Sequence, residues 1–143
     1  MLSKSSKYAI KAVLFLALNS NDKKKVMVKD ISEPINVPQA YIAKLLQKLS
    51  RQNIISSSRG RKGGFYLSDN NRKQSIMSII EVIDGEKNFN SCMLSLKECD
   101  EDKPCPLHKT LYPFKSNIIR NLESISIKEL ALEVELGNAF LPL

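Results

Sequence analysis

The 143-residue sequence predicts a mainly α-helical fold with one small β-hairpin. Apolar residues recur at helical spacing in several segments, two short helices flank a tight turn, and two strand candidates flank a basic, glycine-rich tip. Together these features predict a winged helix-turn-helix, with the hairpin as its wing. We expect this domain at residues 1–85, a cysteine-bearing loop at 86–106, and a long dimerisation helix with a C-terminal segment at 107–143.

The first three helices follow from apolar spacing and from helix-ending residues. A serine-rich start and an apolar stripe predict a helix over 6–19. A short helix is predicted from Val28 to Glu33, ended by Pro34 or soon after, because residues before a proline avoid helical geometry. Pro38 suits the first turn of the next helix. The buried stripe predicted for that helix is Ile42, Leu45, Leu46 and Leu49.

The hairpin and a further helix come next along the chain. Residues 54–58 and 64–67 are the strand candidates, and Arg59-Gly60-Arg61-Lys62-Gly63 joins them as a basic tip. An amphipathic helix is predicted over 76–83, stopped at Asp84-Gly85. Residues 89–106 lack periodicity, so we expect a loop there. A loop of that length in a compact protein is usually functional or disordered.

A long apolar stripe follows this loop. Its members step by three or four positions and predict a helix that needs a partner helix, in the same chain or in a second one: Leu107, Leu111, Phe114, Ile118, Leu122 and Ile125. Pro113 marks either the beginning of this helix or a kink in it. We expect a homodimer built on Leu111, Phe114, Ile118 and Leu122. The spacing of Ser126 and Glu129 indicates a capping box for a final helix through Glu135, closed by Gly137.

The net charge of +7 is concentrated in the first half of the chain. Residues 1–73 contain 15 basic and 4 acidic side chains, a net +11, whereas the remainder contains 7 basic and 11 acidic ones, a net −4. Such asymmetry is typical of a polyanion-binding module joined to a segment of another kind. On charge alone, a solvated lysine-rich face is an equal alternative.

Double-stranded DNA is the polyanion that a winged helix-turn-helix binds. Its second helix enters the major groove, and its wing suits a narrow minor groove. The candidate DNA-contacting residues are Gln39, Ala40, Tyr41 and Lys44 for base edges, Lys48 for phosphate, and Arg59, Arg61, Lys62 and Gly63 in the wing. The alternatives are that Tyr41 belongs to the core, that Lys44 is merely solvated, and that the hairpin has no DNA role. A two-fold dimer would bind a pseudo-palindromic site.

The sequence favours a cytoplasmic protein without enzymatic activity. The apolar run at 12–18 is far shorter than the ~20 residues that span a bilayer, and no convincing cleavage site follows it. Three cysteines cannot form a complete set of disulfides, so a reducing cytosol fits better than secretion. We find no nucleophile–base motif.

Cys92, Cys99, Cys105 and His108 lie within 17 residues, and His108 is the sole histidine. Thiolates and imidazole are the ligands that zinc and iron–sulphur clusters select. The residue types and their spacing leave zinc, a cluster and unligated thiols open. The acidic neighbours of these cysteines provide no positive field to lower thiol pKa values, which makes a simple reactive-cysteine switch less attractive.

Several motifs together resemble the Rrf2 family of bacterial winged-helix regulators. They are Ser6-Lys7-Tyr8-Ala9, Asp30-Ile31-Ser32, the run from Ile54 to Gly60, Gly63-Gly64-Phe65-Tyr66-Leu67, and three cysteines before a C-terminal helix. The resemblance covers nearly the whole chain. It implies a homodimeric transcription regulator, such as a repressor, with the C-terminal helix packed across the two-fold axis.

The IscR-like branch of this family places a histidine shortly after the third cysteine, as Cys105-Pro106-Leu107-His108 does here. The resemblance therefore implies that His108 and the three cysteines hold a [2Fe-2S] cluster that senses iron, redox state or nitric oxide. NsrR-like members can carry an acidic ligand where this chain has Lys7. Six residues separate Cys92 from Cys99, where five are usual. The alternative is a cluster-free or zinc-binding member that responds to a small molecule or a partner protein.

Overall fold

The computed structural model describes residues 2–143, within which eight helices and one two-stranded antiparallel sheet are present. No helix in this range is long and apolar enough to cross a membrane. The mainly helical fold class with its small hairpin is confirmed. The elements are α1 (Lys4–Asn19), α2 (Val28–Ile35), α3 (Gln39–Arg51), β1 (Ser56–Ser58), β2 (Gly64–Tyr66), α4 (Asp69–Arg72), α5 (Ile76–Asp84), α6 (Glu86–Asn90), α7 (His108–Ser124) and α8 (Ile127–Glu135).

The core lies around α1, against which α2, α3, α5 and α8 all pack. Each fully buried leucine or isoleucine contributes about 1.5–3 kcal/mol relative to an exposed one. The final helix α8 folds back onto α1 and buries Ile127 and Ala131 in the same core. The C-terminal segment therefore completes the hydrophobic core of the first 85 residues.

The helix-turn-helix forms as the sequence predicts. Pro34 lies inside the last turn of α2, and the helix ends at Ile35 with Asn36 as its C-cap. Asn36 there adopts a left-handed conformation (φ 57°), and its N–H donates to carbonyls of the last turn. The predicted end at or soon after Pro34 is confirmed. The predicted apolar stripe of α3 is buried, so its opposite face is left to solvent.

The wing is shorter than its sequence pattern suggests. Ser56 pairs with Tyr66 and Ser58 with Gly64, but Ile54 and Ile55 precede the strand. Both isoleucines are buried, because here the chain enters the core instead of extending the hairpin. The base of the wing is held to the α1–α2 connection by two hydrogen bonds between the backbones of Val26 and Phe65, of 2.8 and 2.9 Å.

The structure corrects the expected loop at 89–106 at its beginning. Residues 86–90 form the short helix α6, because Phe89 inserts into the core with only 6% of its surface exposed. A second short helix, α4, was not predicted. It is stabilised by a capping box between Ser68 and Asn71.

The long C-terminal helix α7 begins at His108, five residues before Pro113, so the proline does not mark its beginning. None of the residues of α7 is fully buried. The predicted final helix is confirmed by its capping box between Ser126 and Glu129, and Gly137 follows it with a positive φ of 78°.

Candidate DNA-binding surface and cysteine site

The exposed face of α3 carries most of the predicted base-contacting residues. Gln39, Ala40 and Lys44 are all exposed, and the first turn of the helix points away from the core. Because the buried stripe of α3 packs on α1, α2 and α5, these side chains are presented by a rigid support. Amide and ammonium groups at such positions can donate to base edges or phosphates.

Tyr41 lies differently from its neighbours in α3. Its ring is half-buried and makes an edge-to-face contact with Tyr8 of α1, with centroids 6.0 Å apart. Its hydroxyl lies 2.7 Å from the hydroxyl of Ser5. Tyr41 therefore attaches the beginning of α3 to α1, and only part of its ring is accessible to a DNA duplex.

Lys48 also has a partner within the protein. Its ammonium group donates a 3.2 Å hydrogen bond to the carbonyl of Ile83, in the last turn of α5. A cation at the C-terminal end of a helix is favourable, because the unpaired carbonyls there carry partial negative charge. The spacing in the sequence gives no sign of these contacts of Tyr41 and Lys48, since they join residues about 35 positions apart.

The wing tip presents its cations to solvent. Arg59, Arg61 and Lys62 are exposed, and Gly63 is half-buried below them. Within residues 2–143 the one ion pair is Lys29–Glu33 in α2, so the cations of the wing have no acidic partner. The turn requires Gly60, whose φ is +101°. An exposed, unpaired cationic tip of this kind suits a phosphate backbone or a narrow groove.

The first cysteine lies in a small loop that is hydrogen-bonded to α7. Cys92 donates its N–H to the carbonyl of Lys97 (2.8 Å), and the backbones of Ser91 and Glu98 form an isolated bridge. The ammonium group of Lys115 in α7 donates to the carbonyl of Ser91. The position of Cys92 is thus determined by backbone pairing and by one contact from the long helix.

The three cysteines lie near one another. The sulphur of Cys92 accepts the N–H of Leu94 at 3.5 Å, and the neighbouring thiols of Cys105 and Cys99 also lower its pKa. The N–H of Leu94 is the strongest of several contacts that hold the pKa of the Cys92 thiol below its usual range. All three cysteines are half-buried and free. The sequence predicts no positive field that would lower the thiol pKa values, and the lowering at Cys92 has another source, hydrogen bonds.

His108 is the first residue of α7 and lines a small cavity together with Cys99 and Cys105. Its N–H donates to the carbonyl of Cys105 (3.0 Å), and its ring stacks on Tyr112 with centroids 4.5 Å apart. The hydroxyl of Tyr112 donates to Glu101 at 3.1 Å, which raises the pKa of Tyr112. The loop and the first turns of α7 thus place the imidazole beside the thiols.

The four side chains fit the donor chemistry of an iron–sulphur cluster or of zinc. Thiols and an imidazole are soft donors that lie in one region of the protein, and the lowered pKa of Cys92 favours the thiolate that binds a metal. These four side chains nevertheless do not surround one common point. Within residues 2–143, no three His, Cys, Asp or Glu side chains stand close enough to share one metal ion.

The apolar stripe of α7 is partly uncovered near these cysteines. Phe114 is 68% exposed and Ile118 39% exposed, while Leu111 and Leu122 are half-buried. Phe114 and Ile118 also border a groove that reaches Cys92. Within the chain, α7 packs mainly against α5 and Leu122 packs on the core, which leaves Phe114 and Ile118 uncovered.

A helix-turn-helix with an exposed recognition face, a cationic wing and a long, partly uncovered C-terminal helix together define the architecture of a winged-helix transcription regulator. Residues 2–133 match the Rrf2 family, described as an iron-dependent transcriptional regulator. The chain belongs to this family, and it is a DNA-binding regulator and not an enzyme. An HTH-type transcriptional regulator of Aquifex aeolicus is 31% identical, over 91% of this chain and 90% of that protein.

Two other relatives carry names that bear on the cysteines. The transcriptional regulator IscR of Vibrio cholerae is 28% identical, over 94% of this chain and 76% of its own length. The transcriptional repressor NsrR of Streptomyces coelicolor is 26% identical, over 74% of this chain and 67% of its own length.

Solved structures agree with the fold. CymR, the global cysteine regulator of B. subtilis, superimposes with a TM-score of 0.73 at 23% identity, covering 92% of this chain and 95% of its own. IscR of T. potens superimposes with a TM-score of 0.70 at 21% identity, covering 97% and 91%. At these identities the likeness supports the fold alone.

The lowered pKa of Cys92 predicts a shifted pH profile for its alkylation in metal-free protein. Because the thiolate is the reactive form, the rate should rise at a lower pH than for the same cysteine in the unfolded chain. The rate for the Cys92 peptide can be followed by mass spectrometry after iodoacetamide pulses from pH 6 to 10. Urea-unfolded protein is the control, and coincident profiles in the two states would contradict the prediction.

Proposed function

We propose that this regulator controls transcription through an iron–sulphur cluster, most simply [2Fe-2S], held by Cys92, Cys99, Cys105 and His108. The observation that carries the proposal is the placement of Cys99 and Cys105 with His108 around one small cavity at the beginning of α7, with Cys92 near both cysteines. The family description as iron-dependent and the relatives named IscR and NsrR support it. When bound, the cluster would supply a group whose presence or oxidation state reports iron, redox state or nitric oxide.

We further propose that α3 and the wing contact DNA. Gln39, Ala40 and Lys44 would face the major groove, with part of the Tyr41 ring beside them. Arg59, Arg61, Lys62 and Gly63 would lie along the adjacent groove and backbone. Lys48 can reach a phosphate only by leaving the carbonyl of Ile83. In a cytoplasmic homodimer related by a two-fold axis, two such surfaces would bind a pseudo-palindromic site and repress transcription from it.

A cluster-free or zinc-binding regulator of the same family is the second candidate. The lowered pKa of the Cys92 thiol favours it, because a thiolate can react with a small molecule or bind zinc without any sulphide. In this case a small molecule or a partner protein would replace the cluster as the signal. The two candidates differ in whether iron and sulphide are bound in equal amounts.

Replacing Arg59 and Arg61 with alanine should weaken DNA binding and flatten its salt dependence. Each lost phosphate contact removes about 0.9 from the slope of log affinity against log salt, so the double variant should lose about 2. Affinities can be measured by fluorescence anisotropy on a duplex selected from a random library. Lys87→Ala/Lys128→Ala removes the same charge from the exposed surfaces of α6 and α8 and is the matched control. An unchanged slope in the wing variant would exclude the wing as a DNA contact.

Introducing a charge on α7 should produce monomers. Ile118→Asp places an unpaired carboxylate in the proposed dimer interface, where burial of a charge costs several kcal/mol. Light scattering at micromolar concentration measures the mass. Asn117→Asp introduces the same charge one position away on the exposed surface and should remain dimeric. A monomeric wild-type protein would defeat the proposed homodimer.

Loss of any one cysteine ligand should abolish the cluster. Cys92→Ala, Cys99→Ala and Cys105→Ala should each lose the visible absorption of anaerobically reconstituted protein, together with bound iron and sulphide. His108→Cys should retain a cluster of lower potential, because an anionic thiolate replaces a neutral ligand. Tyr112→Phe keeps the ring beside His108 and should retain the cluster. Uptake of about one zinc and no sulphide per chain by the wild type would establish structural zinc instead.

A further inference from the structure

Asp84, the last residue of α5, joins two helices by their ends. Its carboxylate accepts the N–H of Ser3 (3.3 Å), the hydroxyl of Ser6 (2.7 Å) and the hydroxyl of Ser3. Ser3 is the N-cap of α1, so the carboxylate lies at the positive end of that sixteen-residue helix. The beginning of α1 is therefore held in place by the end of α5.

The same end of α5 also holds the recognition helix α3. The carbonyl of Ile83 accepts the ammonium group of Lys48, near the end of α3. At its other end, α3 is held by Tyr41, which contacts Ser5 and Tyr8 in the first turns of α1. Polar contacts near both ends of α3 thus lead to the Ile83–Asp84 pair, directly through Lys48 and indirectly through Tyr41 and α1.

The segment that leads to the cysteines begins immediately after Asp84. Gly85 has a φ of +83°, a conformation that favours glycine, and its N–H donates to the carbonyl of Glu81 (2.9 Å), so the chain leaves α5 in a defined direction. The side-chain amide of Asn88 in α6 donates to the backbone carbonyl of Asp84. Cys92 follows eight residues after Asp84. A displacement of the cysteine segment therefore acts first on the end of α5.

We propose that Ile83–Asp84 is the junction through which the state of the cysteine site reaches the recognition helix. Asp84 acts as the positioning residue for α1, and Lys48 as the positioning residue for α3. The nature of the signal rests on the proposed function. The junction itself requires only that the segment after Gly85 changes its conformation. If that segment has two states, each state would favour a different orientation of α3. Such a difference is what couples the cysteine site to the DNA-binding surface.

The experiment compares the amide hydrogen exchange of residues 39–51 between two states of the cysteine site. In one arm, cluster-loaded protein is compared with cluster-free protein. In the other arm, cluster-free protein is compared before and after alkylation of its cysteines with N-ethylmaleimide, which needs no metal. In wild-type protein we expect each change to alter exchange in α3 by about fivefold or more.

Asp84→Asn should remove most of this response, because the amide loses the charge at the end of α1 and weakens three hydrogen bonds. Lys48→Met, at an exposed position that does not endanger folding, should also reduce it. A purely structural role would shift exchange equally in both states and leave the difference between them intact. Glu129→Gln is the matched control, since Glu129 caps α8 through Ser126 in the same way but lies far along the chain from α3.

A response of wild-type size in both Asp84→Asn and Lys48→Met would overturn the junction. An unresponsive α3 in both arms of the wild-type experiment would do the same. If the wild type binds no iron and sulphide but its alkylation response is lost in Asp84→Asn, the cluster proposal fails and the junction stands. A response lost equally in Glu129→Gln would also refute the assignment, because the effect would then be one of general stability.

Discussion

The burial of α1 is the interaction on which the remainder of the structure depends. Ala9, Ala12, Val13 and Leu16 are fully buried, and the two alanines allow neighbouring helices to approach closely. Distant side chains form hydrogen bonds with polar groups at both ends of α1, Asp84 at the beginning and Arg72 at the end. The guanidinium of Arg72 donates to the carbonyls of Ala17 and Ser20, both at 2.8 Å. Without these partners the unpaired backbone groups at the helix ends would face the core unsatisfied.

The orientation of the recognition helix follows from this packing. Since α3 buries its apolar stripe on the α1 core, its polar face and the wing are turned towards solvent. The wing is held at its base by Val26 and Phe65, while the cations of its tip are exposed. A packed helix beside an exposed cationic hairpin suits the binding of DNA by shape and charge together.

The C-terminal half obeys a different constraint. The long helix α7 contributes no fully buried residue to its own chain, yet its N-terminal end carries His108 and its Lys115 fastens the first cysteine segment. The helix therefore joins the cysteine site to the proposed interface between protomers. A conformational change at the cysteines would therefore reach both the proposed interface and, through Gly85, the end of α5.

The sequence by itself determined the helical pattern, the turn, the wing and the identity of the candidate ligands. Local spacing and capping chemistry decide these features, as the stripe of α3 and the Ser126–Glu129 box illustrate. It predicted a loop where Phe89 forms α6, and strands where Ile54 and Ile55 enter the core. Only the tertiary structure decided the conformation of these two segments. It also showed that Tyr41 contacts α1 and that Lys48 contacts α5. Such contacts join residues tens of positions apart, and local periodicity contains no information about which distant group will satisfy a given hydroxyl, carbonyl or apolar side chain.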